Sequence, residues 1–563
     1  MTFCNHWRCF WLVAGCSAMA LMGTASTALA KTPRLSPELE AYPPPVLPFD
    51  ENAADEPADD SLAAAISEAF VSNPELAAGR YDLRASDDEI GIALADIRPQ
   101  VQLQVAGSYD FTIPGTITSA SRPLSDRLNN PNIERNEVTS RLVIDQPIST
   151  GGRVRSAVRA AMATSAAGRQ SLRGVEGDLL VELIASYSDV RRDKRSLVIR
   201  QNNVRALEAT LDEVIARREA GELTRTDIAQ AEAQLQAARV QLYGAEAQLE
   251  ASRAAFAAIV GREPGNLAAE PDLPNLPATA GEAFAVAELS NPDLAAAMAT
   301  ERASRERIAV AKAEGRPTLA LRGTAGTTGP ALPFDRSEQD VAFTGGVTLT
   351  IPLVSGGRVR ALEAQARNRE SADALRVEAT RRKMVQAIIN AWNQWVTAAR
   401  NVEVQDVQLK AARIYYEGTL EEYREGLRST FDVLYAQNSL RETEIALLAT
   451  KRDRYVAQAV LLRQMGKLET RTLLTAPPVY DPAEYTRKAQ RRGALPWDGL
   501  VRGIDGLGAP GTKPQVRVGP KGTANSDMIA PQNAPDPGRE LQRGGPGKTQ
   551  GAPPSTRPKK SAP

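Results

Sequence analysis

The chain carries the same plan twice. Pro147-Ile148-Ser149-Thr150-Gly151-Gly152-Arg153-Val154-Arg155 returns as Pro352-Leu353-Val354-Ser355-Gly356-Gly357-Arg358-Val359-Arg360, 205 positions later. The same shift takes Gly221 to Gly426, Asp227 to Asp432, Leu235 to Leu440 and Gly261 to Gly466. Upstream, Asn73-Pro74-Glu75-Leu76 returns as Asn291-Pro292-Asp293-Leu294 and Arg98-Pro99 as Arg316-Pro317. That shift is 218, so one connection of the first copy is 13 residues longer. Units of roughly 200 residues are far longer than the roughly 20–50 of stacked repeats. The chain therefore reads as a duplicated half-protein, and its fold must suit both halves.

Proline marks where helices are forbidden. The chain has 37 prolines, yet none lies between Pro147 and Pro264 or between Pro352 and Pro477. An interior proline removes a helical hydrogen bond and clashes with the preceding turn. The two gaps therefore predict two long helical hairpins, each split near its middle by Gly221 or Gly426. From Gly152 to Ala220 a helix would run about 100 Å, at about 1.5 Å per residue. Gly168, Gly174 and Gly177 weaken its first part.

The returning helix of copy one shows a seam. Ile228, Leu235, Leu242, Leu249 and Phe256 recur every seven residues, with Ala231, Ala238, Ala245, Ser252 and Ile259 three later. This a/d pattern, with small residues on one side, lets helices pack closely. Copy two keeps Val433, Leu440, Leu447 and Leu461 but puts Arg454 in the series. Ordinary coiled-coil packing accounts for the seam. Asn73-Pro74 and Asn291-Pro292 fit an Asn cap followed by Pro at the first helical position, a structural role.

Before each hairpin the period changes to two. Val101, Leu103, Val105, Gly107, Tyr109 and Phe111 alternate with Gln102, Gln104, Ala106, Ser108 and Asp110. Val138, Leu142, Ile144 and Ile148 alternate with Thr139, Arg141 and Asp145. In copy two, Phe343, Val347, Leu349, Ile351 and Leu353 alternate with Thr344, Gly346, Thr348 and Thr350, and Leu319 and Leu321 flank Ala320. Strands of about 10 residues, apolar on one face and polar on the other, suit a transmembrane β-barrel. Patterning alone is equally that of an amphipathic soluble sheet. Each copy reads helix, helix, strand, loop, strand, long helix, helix. The extra 13 residues fall in the strand-to-strand loop, where insertions are tolerated.

Composition limits the chemistry. Aromatics are 5% of the chain, and Lys+Arg and Asp+Glu are balanced at 68 each. Alanine, arginine, glutamate and leucine dominate, as in long helices. Residues 1–30 read as a secretory signal: Arg8, an apolar run from Cys9 to Met22, and Ala28-Leu29-Ala30 as cleavage site. Leu12-Val13-Ala14-Gly15-Cys16 also resembles a lipoprotein signal, the less favoured alternative. All three cysteines (Cys4, Cys9, Cys16) and the one histidine (His6) lie in this segment. Cleavage leaves no Cys or His nucleophile, no His general base, no ordinary zinc site and no disulfide. No enzyme activity, cofactor or metal is expected of an exported chain so composed. Gly151-Gly152 and Gly356-Gly357 lack the Gly-x-x-x-x-Gly-Lys-Ser/Thr of a phosphate loop and predict tight strand-to-helix turns.

The remaining boundaries follow composition. Residues 31–60 are expected to be a flexible arm, 61–269 repeat 1, 270–280 a linker and 281–472 repeat 2. Residues 473–563 are expected to be a basic, Pro/Gly-rich disordered tail. Within it, residues 486–563 carry 14 Lys/Arg against 5 Asp/Glu. By charge this tail could bind an anionic surface; nucleic acid does not suit an exported protein.

Four strands cannot close a barrel, and an open edge cannot face lipid, because its amides would be unsatisfied. Two chains would give eight strands and a filled interior; three would give twelve and a lumen. Periodicity does not count the subunits.

The two Ser-Thr-Gly-Gly-Arg and Val-Ser-Gly-Gly-Arg strand ends, the Gly221-Glu222-Leu223-Thr224-Arg225-Thr226-Asp227 and Gly426-Leu427-Arg428-Ser429-Thr430-Phe431-Asp432 segments, and the two Asn-Pro-acidic-Leu turns together resemble the TolC family of outer-membrane channels. The resemblance covers about residues 61–470, and copy one is most similar to the type I secretion branch. It implies a mainly α fold with a transmembrane β-barrel: a homotrimer whose four strands per chain close a twelve-stranded barrel in the outer membrane of a Gram-negative bacterium. Beneath the barrel, the hairpins would form a periplasmic tunnel. The implied function is a passive exit duct for efflux or type I secretion. Its partners would be a periplasmic adaptor, an inner-membrane pump (ABC or proton-driven) and outer-membrane lipid. A periplasmic coiled-coil adaptor or scaffold is the alternative, but an adaptor needs one hairpin between lipoyl-like β-halves.

Asp227 and Asp432 have two readings. Thr224-x-x-Asp227 and Ser429-x-x-Asp432 are capping-box spacings at the start of the returning helices. The resemblance adds a place at the tunnel entrance. Asp227, Tyr423 and Arg428 match positions of polar links that hold family entrances closed, and Asp432 matches an acidic ring, which favours cations. A second acidic ring position is Tyr435 here, a departure that weakens cation binding.

Overall fold

The computed structural model describes residues 60–113, 123, 133–221, 223–274, 276–331, 335–474, 480–507, 509 and 510. The expected signal peptide and all but the last residue of the expected arm lie outside these residues. The duplication is visible element by element. Copy one runs α1 (Leu62–Ser72), α2 (Pro74–Ala95), β1 (Gln100–Thr112), β2 (Ile133–Ser149), α3 (Arg153–Glu219) and α4 (Arg225–Val260). Copy two runs α5 (Ala280–Ser290), α6 (Pro292–Ala313), β3 (Thr318–Pro330), β4 (Asp340–Thr350), α7 (Arg358–Arg424) and α8 (Thr430–Gln464). The long helices α3 and α7 are 67 residues each, and α2 and α6 are 22 each. At about 1.5 Å per residue the long helices span about 100 Å.

The glycines of the motifs sit where the chain turns. Gly152 (φ 81°) and Gly357 (φ 81°) carry each strand into its long helix through the left-handed region that favours glycine. The two Asn caps do more than the pattern predicts. Asn73 Oδ1 accepts from the amides of Glu75 and Leu76, while its Nδ2 donates to the Ile259 carbonyl at the end of α4. Asn291 accepts from Leu294 and donates to the Gln464 carbonyl of α8. Each asparagine thus starts one helix and satisfies the end of another.

The seam is buried as its period requires. Ala231, Leu235, Ala238, Leu249, Ser252, Phe256 and Ile259 of α4 are buried. Tyr187 and Phe256 meet at 6.5 Å in the largest apolar cluster, which draws on α1 to α4 and α8. Burial and the carbonyls of Asp60 and Ala268 enclose the Tyr187 hydroxyl, and burial pushes its pKa up to about 12. Arg454, the break in the copy-two seam, is exposed. Trp392 and Trp395 pack against each other at 5.5 Å beside the copy-two cluster, as packing residues.

The strands form one antiparallel sheet in the order β1-β2-β3-β4. Leu103 pairs with Leu142, Leu142 with Ala325 and Ala325 with Phe343, so one apolar row crosses the sheet. On the other face, Gln100, Asp145 and Arg322 form a polar row, with Arg322 Nε 2.5 Å from Asp145 Oδ1. The apolar row is uncovered: Leu103 is 68% and Phe343 79% exposed. The edges β1 and β4 pair with no other strand among the described residues.

The linker is packed, and the expectation for the tail needs correction. The expected linker 270–280 is held at many points: Tyr455 donates to the Pro271 carbonyl, Gln458 to that of Pro274, and Leu273 is buried. The expected disordered tail begins with structure. After α9 (Thr470–Leu473) the chain forms α10 (Pro482–Arg491) and α11 (Asp498–Leu507), both packed on copy one. Thr486 donates to the buried Asp87, Arg98 Nε pairs with Asp498 at 3.0 Å, and Asp505 is 1% exposed. Proline and glycine content hid these helices, because the few anchoring side chains contact residues some 400 positions earlier. Residues beyond Pro510 lie outside the described residues.

Candidate functional site

The two hairpin tips are built alike. In copy one the turn passes Gly221 (φ 84°) and α4 starts from Thr224. The Thr224 amide and hydroxyl both donate to Asp227 Oδ2 at 2.8 Å, and the Asp227 amide returns to Thr224 Oγ1. In copy two the turn passes Gly426 (φ 75°), and Ser429 donates to Asp432 through its amide (3.1 Å) and hydroxyl (2.8 Å). Both aspartates therefore close reciprocal capping boxes. The Thr224 amide and hydroxyl hold Asp227 below the ordinary carboxylate range, and the Ser429 hydroxyl and amide do the same for Asp432.

The other two candidates do not meet Asp227 within the protomer. The short return through Gly426 folds Arg428 onto its own hairpin, where Nε donates to Glu422 at 2.7 Å. Tyr423 is buried, its ring lies under the Arg217 guanidinium of α3 at 4.9 Å, and its hydroxyl has no hydrogen-bond partner among the described residues. Tyr423 thus ties the tips of the two hairpins together by stacking. Tyr435 stacks on Phe431 at 6.4 Å, and both rings are exposed.

Sequence reading missed the contacts that set the hairpins side by side. Leu434 of α8 enters the copy-one seam beside Val214 and Ala231, and Gln437 donates to the buried Asn203. Higher up, the buried Arg463 forks between Asp178 (2.7 and 2.9 Å) and Asp293 (3.0 Å). Gly177 leaves room for it: a Cβ there would lie 2.9 Å from Arg463 Cδ. The helix-weakening glycine was the available signal, since a glycine inside a helix marks close approach. No cluster of acidic, His or Cys side chains able to hold a metal occurs among the described residues.

Two hairpins, a shared four-stranded sheet and a matched pair of tips thus repeat one plan in each half of the chain. The family profile described as "Outer membrane efflux protein" matches residues 65–262 and 285–467, one span per copy. The chain belongs to this family. The outer membrane efflux protein BepC of Brucella suis is 29% identical over 441 residues, covering 78% of this chain and 92% of BepC. The pyoverdine export outer membrane protein OpmQ of Pseudomonas putida is 26% identical over 401 residues, covering 70% and 83%. Among solved structures, the Campylobacter jejuni CmeC outer membrane channel aligns at TM-score 0.63 with 15% identity, over 76% of this chain and 89% of CmeC. VceC of Vibrio cholerae aligns at 0.59 with 20% identity, over 72% and 96%. As an outer membrane efflux protein, the chain works in the outer membrane of a Gram-negative bacterium as the exit component of an efflux system, and its relatives are channel proteins rather than enzymes.

Proposed function

We propose that this efflux protein acts as a homotrimer, three copies of the four-stranded sheet closing a twelve-stranded barrel over a periplasmic tunnel of hairpins. The supporting observation is the open sheet: β1 and β4 are both edges, and the apolar rows are exposed on one face only. Unpaired edges are intolerable in lipid, so the sheet needs neighbours. Two copies would give eight strands, whose interior side chains fill; the polar rows through Gln100, Asp145 and Arg322 suit a water-filled lumen.

In this reading a periplasmic adaptor and an inner-membrane pump engage the tips, and the tips close the entrance at rest. Asp432 places one carboxylate per subunit around the axis. Asp227, Tyr423 and Arg428 hold neighbouring tips, with Arg428 exchanging Glu422 for a partner across the entrance. The double variant Arg428→Ser with Tyr423→Phe is expected to raise single-channel conductance in planar bilayers. Asp432→Asn is expected to lower cation preference with conductance otherwise unchanged. Unaltered conductance and selectivity would leave these residues their capping and packing roles only. Deleting the gene and comparing drug sensitivity with secreted proteins would separate small-molecule efflux from type I secretion.

A further inference from the structure

The duplication carries the pairing of the strands as well as their pattern. Moving β1 by 218 positions and β2 by 205 turns Gln100 opposite Asp145 into Thr318 opposite Thr350, and Asp110 opposite Arg135 into Thr328 opposite Asp340. Both are the pairs found between β3 and β4. The two hairpins therefore keep one register over their length.

The pairing of copy one with copy two, through β2 and β3, has no counterpart inside the chain. The same shifts turn β2 into β4 and β3 into β1, which are the two edges of the sheet. Applied to the β2–β3 register, they set Thr350 opposite Gln104, Leu349 opposite Val105, Gly345 opposite Tyr109 and Phe343 opposite Phe111. The chemistry of these pairs agrees independently. Phe343 and Phe111, 79% and 49% exposed in the single chain, become a cross-strand aromatic pair. Tyr109 lies opposite a glycine, where no side chain competes for room. A slip of one residue would set Phe343 against Asp110 or Thr112 and turn every side chain to the wrong face.

The contact continues past the strands. In copy one the turn at Gly151 is closed by copy two: a Cβ there would lie 2.7 Å from Arg316 Cβ and 3.4 Å from the Ala313 carbonyl oxygen, and Ala313 is 1% exposed. The shifted positions are Gly356, Arg98 and Ala95. A Cβ at Gly356 would meet nothing within 4 Å among the described residues, and Ala95 is exposed.

We propose that β4 of one copy pairs antiparallel with β1 of a second copy in this register, Thr350 opposite Gln104 and Phe343 opposite Phe111, with Ala95 and Arg98 of the second copy closing the Gly356 turn. The inference rests on the homotrimer reading and deepens it: that reading joins the edges, and the duplication fixes which residues meet.

The test is oxidative crosslinking of the full chain, in which no cysteine follows Cys16. Leu349→Cys with Val105→Cys probes the apolar face, and Thr348→Cys with Ala106→Cys the polar face, so each face supplies a variant should the other fail to assemble. Directly opposite residues lie within disulfide reach, at about 4.5–5.5 Å between Cα atoms. Within one chain β1 and β4 stand three strand spacings apart, about 14 Å, so a bridge must join two copies. Both matched pairs are expected to lose the monomer band in a denaturing, non-reducing gel. The offset pairs Leu349→Cys with Leu103→Cys and Leu349→Cys with Gly107→Cys, at about 7–8 Å, are expected to keep it. Crosslinking of an offset pair as strong as that of the matched pair would overturn the register. Unheated samples that migrate as the oligomer, yet crosslink through no pair, would overturn the strand pairing and leave the homotrimer reading standing. A cysteine-free parent that migrates only as monomer would sink that reading, and this inference with it.

Discussion

The Asp505 carboxylate accepts hydrogen bonds from both the amide (2.6 Å) and the hydroxyl (2.8 Å) of Thr150, 355 residues earlier in the chain. The same oxygen accepts from the Gly152 amide at 3.3 Å. Among the described residues the copy-two turn at Gly356 and Gly357 has no such partner: a Cβ at either glycine would meet nothing within 4 Å. The C-terminal segment therefore distinguishes two otherwise equivalent junctions.

Asp505→Ala should destabilise the protein by about 1–3 kcal/mol, because it leaves buried donors without an acceptor. Thermal unfolding in detergent checks this. Truncation after residue 475 should cost at least as much, whereas truncation after Pro510 should leave the midpoint unchanged. Equal midpoints for both truncations would mean that α10 and α11 do not contribute to stability.

Gly466→Ala and Gly426→Ala should differ, although both glycines have positive φ (69° and 75°). A Cβ at Gly426 enters open space, so its cost is that of left-handed backbone, about 1–2 kcal/mol. A Cβ at Gly466 would lie 2.2 Å from the Ser290 carbonyl oxygen, next to the Asn291 cap. That variant should be the more destabilised in the same unfolding assay; equal losses would contradict the packing at this junction.

Phe256→Ala should cost about 3–5 kcal/mol, the usual range for an aromatic deleted from a full core. Phe256 is 0% exposed and packs against Tyr187. Denaturant unfolding of the purified protein measures the difference. A loss below about 1 kcal/mol would place Phe256 in a site that collapses freely.

Acid should loosen the tips late. Asp227 and Asp432 are both depressed below the ordinary 3.8, so the unfolded chain takes up their protons first as pH falls. Their capping contribution is full above that value and is lost as pH drops through the folded values. A fluorophore on Leu427→Cys, unique in a chain without cysteine after residue 30, should keep constant anisotropy down to about pH 4 and lose it below. With Thr224→Ala or Ser429→Ala the loss should begin at higher pH. A transition near neutral pH would point to other groups.

The sequence by itself determined the repeating parts. Proline-free gaps delimited α3, α4, α7 and α8, and the period of two located the strands within a few residues. The Asn-Pro and Thr/Ser-x-x-Asp spacings fixed caps at Asn73, Asn291, Asp227 and Asp432. These signals are local, because helix period, strand period and capping depend on residues a few positions apart. The tertiary structure decided what joins the parts. Arg463 reaches Asp178 across 285 positions, Asp505 reaches Thr150 across 355, and Thr486 reaches Asp87 across 399. Within the protomer Arg428 likewise pairs with Glu422, a contact set by the turn through Gly426. Such contacts leave no period in the sequence; each depends on which surfaces the packed helices bring within about 3 Å.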